Sequence, residues 1–238
     1  AAVFLLRSML HLAVKLDISV SCDVQAVTVR QEQADIRVFT HNEQAVLCRY
    51  LMSDFSLKNA GILLCLFTGI RVGELCALRW ENICLQDRVL CVQHTMQRIQ
   101  TDMPSDQKTK VMITSPKSKH SIRVIPLPED FAKLLASIQP ESSSGFFLTG
   151  REHHWVEPRS MQNHFKRVLQ CCAIAPANFH ALRHTFATRC VELGFDLKSL
   201  SEILGHANVN ITMNRYVHPS MELKRDHMQK LSSLFAVK

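Results

Sequence analysis

The stretch Phe179-His180-Ala181-Leu182-Arg183-His184-Thr185-Phe186 holds the most informative group of proton- and anion-handling side chains in the chain. At helical spacing His180, Arg183 and His184 fall at i, i+3 and i+4 along one edge, beside an apolar face made by Phe179, Leu182, Phe186 and Cys190. A cation and an imidazole therefore stand together at the border of a core. The same pattern also describes a solvated basic helix face. A zinc site at His180 and His184 lacks the Glu that an H-E-x-x-H helix uses as base.

A second group, Thr68-Gly69-Ile70-Arg71-Val72-Gly73-Glu74-Leu75, sets an arginine between two glycines at the start of a short helix. Glycines allow close backbone approach and a helix start adds partial positive charge, so an anion would be welcome at Arg71. Pairing of Arg71 with Glu74 is the simpler alternative. The chain has two tyrosines. Tyr50 lies among Leu47, Cys48 and Leu51 and reads as a core or rim residue. Tyr216 sits in the polar run Asn214-Arg215-Tyr216-Val217-His218, ten residues after Leu204-Gly205-His206.

These residues need elements to carry them. The 238 residues, 47% hydrophobic, can bury one large core or two modest ones. A net charge of +7, from 28 Lys and Arg against 21 Asp and Glu, favours a polyanionic partner over a small acidic metabolite. Nine cysteines without C-x-x-C spacing read as reduced core thiols of a cytoplasmic protein. Arg7, His11, Lys15 and Asp17 interrupt the apolar start, which therefore fits neither a membrane span nor a signal peptide. The seven glycines form no G-x-G-x-x-G or G-x-x-x-x-G-K, so no nucleotide is expected.

Residues 1–16 have helical spacing, and 17–39 read as a linker with room for one short strand. Thr40 and Glu43 form a capping box that opens a helix to about Met52. Further helices are expected over Leu57–Thr68, stopped by Gly69, and over Val72–Leu78. Between Asn82 and Leu127 the runs 89–92, 111–113 and 122–125 read as a small antiparallel three-stranded sheet. In that reading the turn 116–121 joins the last two strands and carries Lys117 and Lys119 at a hairpin tip. Helices then follow over about 129–138, 158–172, 179–193, 196–204, 209–217 and 220–234, with Gly205 ending one and Asn208 capping the next. The fold class is α+β, mainly α.

The ordered series Thr-Gly-Ile-Arg71-Val-Gly-Glu-Leu, Pro-Lys117-Ser-Lys, His180-Ala-Leu-Arg183-His-Thr-Phe, Leu-Gly-His206 and Arg-Tyr216-Val-His resembles the tyrosine recombinase, or phage integrase, family. More narrowly it resembles the integrases of conjugative transposons. The resemblance runs from about residue 38 to 238. It implies a catalytic domain over 38–238, with 1–37 as the last helix of a core-binding domain and a linker. It further implies that Arg71, Lys117, His180, Arg183 and His206 activate a DNA phosphodiester and that Tyr216 is the nucleophile.

The residue types suit that chemistry. A free phenol of pKa about 10 is ionised to roughly one part in a thousand at pH 7, a deficit of about 4 kcal/mol. His180 is the expected proton acceptor. Arg71 and Arg183 would hold the non-bridging oxygens, with His206 as an added donor; each such stabiliser is typically worth on the order of 10²–10³ in rate. Lys117 would protonate the leaving 5′ oxygen, with Lys119 as its rival.

By the same resemblance the product is a 3′-phosphotyrosyl link, made without metal or nucleotide cofactor. Four protomers would act on two attachment-site duplexes through a Holliday junction at the bacterial nucleoid, with an excision factor as a further partner. The helix 220–235 would pack on a neighbouring protomer. Lys108, Lys110 and Lys119 are expected to meet DNA phosphates. His153 and His154 beside Trp155 read as a turn packed by that indole. Two other readings share the pattern: a DNA-binding relative without the reaction, which the intact residue set disfavours, and a type IB topoisomerase.

Overall fold

The computed structural model describes residues 2–19, 36–100, 109–115, 121–141 and 143–217, together with 225, 228 and 229. The chain divides into two units, Ala1–Asp35 and Ile36–Lys238. In the first, α1 (Ala2–Lys15) is the helix that the apolar spacing predicts, and it leaves Leu5, Met9 and Leu12 exposed. No strand occurs in the described parts of 17–39.

The second unit opens with α2 (His41–Ser53), where Thr40 Oγ1 accepts from the Glu43 amide and Glu43 Oε2 accepts from the Thr40 amide. This reciprocal cap satisfies two amides that a helix start otherwise leaves open. α3 (Leu57–Thr68) is apolar almost all round and is buried along most of its length. It packs between α2 and α7 (His180–Glu192) and is the central element of the unit. Gly69 ends it in the left-handed region at φ 67°. A Cβ there would stand 2.6 Å from the Phe186 ring and 2.9 Å from Leu204, so the close approach of three elements depends on its absence. α4 (Val72–Ala77) follows at once.

Three strands, β1 (Ile83–Cys84), β2 (Val89–Val92) and β5 (Arg123–Pro126), form an antiparallel sheet in the order β1-β2-β5. The sheet has three strands as expected but a different membership. The run 111–113 lies in β4 (Thr109–Thr114), which pairs with β3 (Thr95–Gln100) in a separate two-stranded ribbon. The polar alternation of Thr95–Gln100 had concealed that partner. Residues 116–120 therefore do not link paired strands, since β5 pairs with β2, not β4. They lie outside the described residues, as do 101–108. An ion pair of 2.6 Å from Arg98 to Glu157 ties the ribbon to the start of α6 (Pro158–Cys171).

The helices α5 (Glu129–Ala136), α6, α7, α8 (Leu197–Leu204) and α9 (Val209–Tyr216) match the sequence-based spans closely. The segment expected as a helix over 220–235 lies outside the described residues except for 225, 228 and 229. The core has two parts. The larger one gathers α2 to α6, the three-stranded sheet and the start of α7; the smaller joins Ala187 and Cys190 of α7 to Leu200, Leu204 and Tyr216. Among the eight described cysteines only Cys65, Cys76 and Cys190 are buried, and Cys171 is exposed, so the reading of the thiols as core residues holds for three. Among the described residues no helix is long and apolar enough to cross a membrane.

Candidate active site

The site forms where the end of α3, the start of α7, the α8–α9 corner and β5 meet. Arg183 is 2% exposed, although helical spacing placed it on a border. Its Nη1 donates to the Gly69 carbonyl and one Nη2 hydrogen to the Leu204 carbonyl, each at 2.7 Å. These acceptors are the carbonyls that two helix ends leave without intrahelical partners. A second Nη2 contact, 2.9 Å long, reaches His206 Nε2. Burial, then the charge of Arg71, work against the Arg183 cation, while Glu74 supports it.

His206 begins the corner between α8 and α9. Its Nδ1 lies 2.8 Å from the hydroxyl of fully buried Thr212. Because a guanidinium can only donate, Nε2 is an acceptor here and Nδ1 carries the proton. In the DNA-free protein Arg183 thus occupies the nitrogen that His206 is expected to offer to a bound phosphate as an added donor. Burial and the nearby arginines push the imidazole down to about 3, so it is neutral at physiological pH.

Arg71 remains half-exposed and binds Glu74 through Nη1 at 2.8 Å. The simple pairing is therefore real, yet it belongs to a larger arrangement. Arg123, unremarked in the sequence, faces inward from β5 between exposed Val124 and exposed Ile122. Its Nη1 and Nη2 grip both Glu74 oxygens at 3.1 and 2.9 Å, and its Nε donates to the Ile203 carbonyl at 2.6 Å. Burial alone would raise the Glu74 carboxyl, but hydrogen bonds and charge from Arg123, then Arg71, hold it below its ordinary value. One carboxylate thus fixes two arginines. The sequence signal was a single charge inside a strand-like run, at a position where period-two alternation points it into the core.

Tyr216 is 7% exposed. Its hydroxyl lies 2.8 Å from Nδ1 of His184, not against His180 as expected. The charge of Arg215 also acts on the phenol. Burial raises the phenol above its ordinary range, against the lowering influence of Arg183, Arg215 and Arg71. His180 is exposed, and its ring meets the His184 ring edge-on at 4.6 Å between centroids. Although His180 reaches solvent, partial desolvation of its ring and then His184 and Arg183 push it down to about 4, and burial, then Arg215 and Arg183, push His184 down to about 4. Both are neutral near pH 7 and available as proton acceptors.

Arg71, His180, Arg183, His206 and Tyr216 are accordingly gathered in one electrostatically coupled group. Lys117, Lys108 and Lys119 lie outside the described residues. Lys110 is exposed on β4 opposite Ile99, away from any described hydrogen bond of the group. Trp155 is partly exposed and meets Phe146 edge-on, in keeping with a packed turn, while His153 and His154 face solvent. Among the described residues no three His, Cys, Asp or Glu side chains are grouped as metal ligands.

Known proteins share both the sequence pattern and the fold. A tyrosine recombinase XerC-like protein of Caldanaerobacter subterraneus subsp. tengcongensis is 30% identical over 219 residues, covering 85% of this chain and 56% of the relative. The transposase of transposon Tn916 from Enterococcus faecalis is 25% identical over 216 residues, 82% of this chain and 51% of the relative. The chain thus spans about half the length of these relatives. The solved Tn1549 transposon integrase, in complex with a circular intermediate DNA, superposes with a TM-score of 0.77 at 20% identity over 95% of this chain and 76% of its own. The XerA recombinase gives 0.60 at 21% identity, covering 92% of this chain and 70% of its own. The profile of the phage integrase family matches residues 37–222, which include both arginine motifs and Tyr216, and the chain belongs to that family.

Proposed function

We propose that this chain carries the catalytic part of a site-specific DNA recombinase that moves a mobile element by integration or excision. Residues 38–238 are the catalytic domain, and 1–37 are the end of a core-binding domain with its linker. Tyr216 attacks a phosphodiester, giving a 3′-phosphotyrosyl link and a free 5′ hydroxyl, and a second strand's 5′ hydroxyl later reverses the step. Two duplexes held by four protomers exchange one strand pair at a time through a Holliday junction. The exchanged C-terminal helix and an excision factor belong to the same reading, as does the location at the bacterial nucleoid.

The observation that supports it most is the joining of Arg183 to His206 at 2.9 Å beside a buried tyrosine that feels the charges of Arg71 and Arg183. A phosphate oxygen entering this group replaces His206 Nε2 as the acceptor for Arg183. The imidazole then gives up its Nδ1 proton to water and takes one from water at Nε2, the Thr212 hydroxyl turns to donate to Nδ1, and Nε2–H is aimed at the phosphate. His206 becomes the donor only once the anion has arrived. Two guanidiniums and this imidazole meet the charge that grows on the non-bridging oxygens. Lys117 protonates the leaving 5′ oxygen, and Lys108, Lys110 and Lys119 hold flanking phosphates, which gives affinity without sequence information.

The test uses a pool of nicked duplexes with a randomised central segment, from which the 5′ fragment diffuses away after cleavage. In chelator-treated buffer the wild-type chain is expected to form a covalent DNA adduct, and Tyr216→Phe none. An adduct that survives Tyr216→Phe, or is missing from wild type, overturns the reading. Resolution of synthetic Holliday junctions separates recombination from simple relaxation.

A further inference from the structure

The hydrogen bond between Tyr216 and His184 joins a reacting atom to a side chain to which the family pattern, as read above, gives no role. From this geometry we infer that His184 is a catalytic residue, the group that takes the Tyr216 proton during strand cleavage. The inference rests on the reading of Tyr216 as the nucleophile. Three features of the arrangement support it.

The first is contact. His184 Nδ1 is 2.8 Å from the phenol oxygen, within direct proton-transfer reach, whereas His180 meets the His184 ring instead. The second is direction. His184 is neutral near pH 7, so Nδ1 can present a lone pair to the phenol, and the hydroxyl is the group that donates in this contact. The third is placement. His184 is half-buried on α7 next to Arg183, whose guanidinium is tied to two backbone carbonyls, and Tyr216 is buried on α9, one turn after Thr212. The acceptor is thus fixed on the cation side, and the phenol already meets it before DNA arrives.

The step balances. As the Tyr216 Oη–P bond forms, the Oη–H bond breaks and its hydrogen passes to His184 Nδ1. The P–O5′ bond breaks, and the leaving oxygen takes a proton from the ammonium of Lys117. In rejoining, the 5′ hydroxyl returns its proton to the lysine and His184 returns the other to the phenol. The groups facing His184 are His180 and Arg183 on its own helix and Arg215 and Tyr216 from α9. Burial, then the charges of Arg215 and Arg183, depress its basicity in the free protein, and the entering phosphodiester, an anion, offsets those charges and makes the imidazole a better acceptor when it is needed.

Nicked duplexes recovered by covalent capture on the wild-type chain provide the substrate. His184→Gln keeps an acceptor atom but not a base, and is expected to lower the rate of adduct formation on the order of 10²-fold or more, with DNA affinity unchanged. Replacing tyrosine by 3-fluorotyrosine in a Tyr50→Phe background gives Tyr216 alone a more acidic phenol. The loss caused by His184→Gln is then expected to shrink, which a merely structural role for His184 would not produce.

The same pair of measurements on His180→Gln completes the test. If His180→Gln carries the rate loss and the fluorotyrosine rescue while His184→Gln cleaves like wild type, the inference fails. If wild type forms no adduct, the reading of Tyr216 fails first. Should the His184 variant not fold, His180→Gln decides: a near-wild-type rate of adduct formation leaves the phenol proton to His184, and a loss on the order of 10²-fold that fluorotyrosine relieves overturns the inference.

Discussion

The two sides of the candidate site are held in different ways. On the cation side, Arg183, Glu74 and Arg123 are buried and bonded to one another's elements: α3, α4, α7, β5 and α8. On the tyrosine side, α9 is eight residues long and reaches the rest through a small cluster of Ala187, Cys190, Leu200, Leu204 and Tyr216. The difference follows from the chemistry. Guanidiniums that must meet a phosphate in fixed geometry benefit from a rigid frame, whereas local openings are cheapest where few apolar contacts resist them. A nucleophile that attacks, stays bonded to DNA and detaches belongs on the more weakly held element.

Breaking the cation side gives the largest expected effect. Arg123→Met leaves Glu74 buried at 4% side-chain exposure with Arg71 as its remaining partner. Removing one member of a buried pair costs about 3–5 kcal/mol, and because Arg71 still compensates part of the Glu74 charge the loss is expected at the lower end of that range. Urea unfolding of the variant is expected to show a loss in that range, and the double variant with Glu74→Gln a loss smaller than the sum of the two singles. A cost below about 1 kcal/mol would mean that the frame is not built on this pair.

The joint between the two sides is Gly205, and its substitution ranks next. It stands at φ 65°, and a Cβ there would lie 3.0 Å from Arg123 Nη1 and 3.1 Å from its Cδ. Gly205→Ala therefore costs about 1–2 kcal/mol for the left-handed conformation and adds a displacement of the guanidinium. Gly194 offers a control in the same chain, with φ 76° and nothing within 4 Å of an added Cβ. Gly205→Ala is expected to exceed Gly194→Ala in unfolding free energy, and to slow adduct formation where Gly194→Ala does not. Equal costs would show that contact with Arg123 contributes nothing.

Much of this arrangement was legible because its signals are local. Arg71 and Glu74, His180 and Arg183, and the Leu-Gly-His and Arg-Tyr runs each lie within one helix or one turn, so spacing alone places them. The capping box at Thr40 and the stop at Gly69 are equally local. What spacing could not give was pairing at a distance. The strand β3 reads as polar and irregular, so the run at 111–113 looked like a member of the other sheet. Alternation turns Arg123 inward, but nothing local names its partner until Glu74, 49 residues earlier in the chain, is brought to it. His184 and Tyr216 are 32 residues apart, and two neighbouring histidines on one helix edge offer the phenol equal prospects in sequence. Only the approach of α9 to α7 chooses between them.

Acid titration separates the two sides with the smallest effect. His206 and His184 titrate at about 3 and about 4 in the folded protein, pushed down by burial and by arginines, against an ordinary value of 6.5. As pH falls through 6.5 the unfolded chain binds protons that the folded chain does not. The contribution of these residues to stability is therefore complete above about pH 6.5 and is lost progressively toward pH 4 for His184 and pH 3 for His206. His206 touches Thr212 and His184 touches Tyr216, so the strain of acidification falls on α9. Amide exchange measured from pH 7 to 5, corrected for the intrinsic rate, is expected to speed up in α9 before α3, and His206→Asn to reduce that difference. If α3 and α9 lose protection together, the tyrosine side is no more weakly held than the cation side, and the division between frame and nucleophile must be given up.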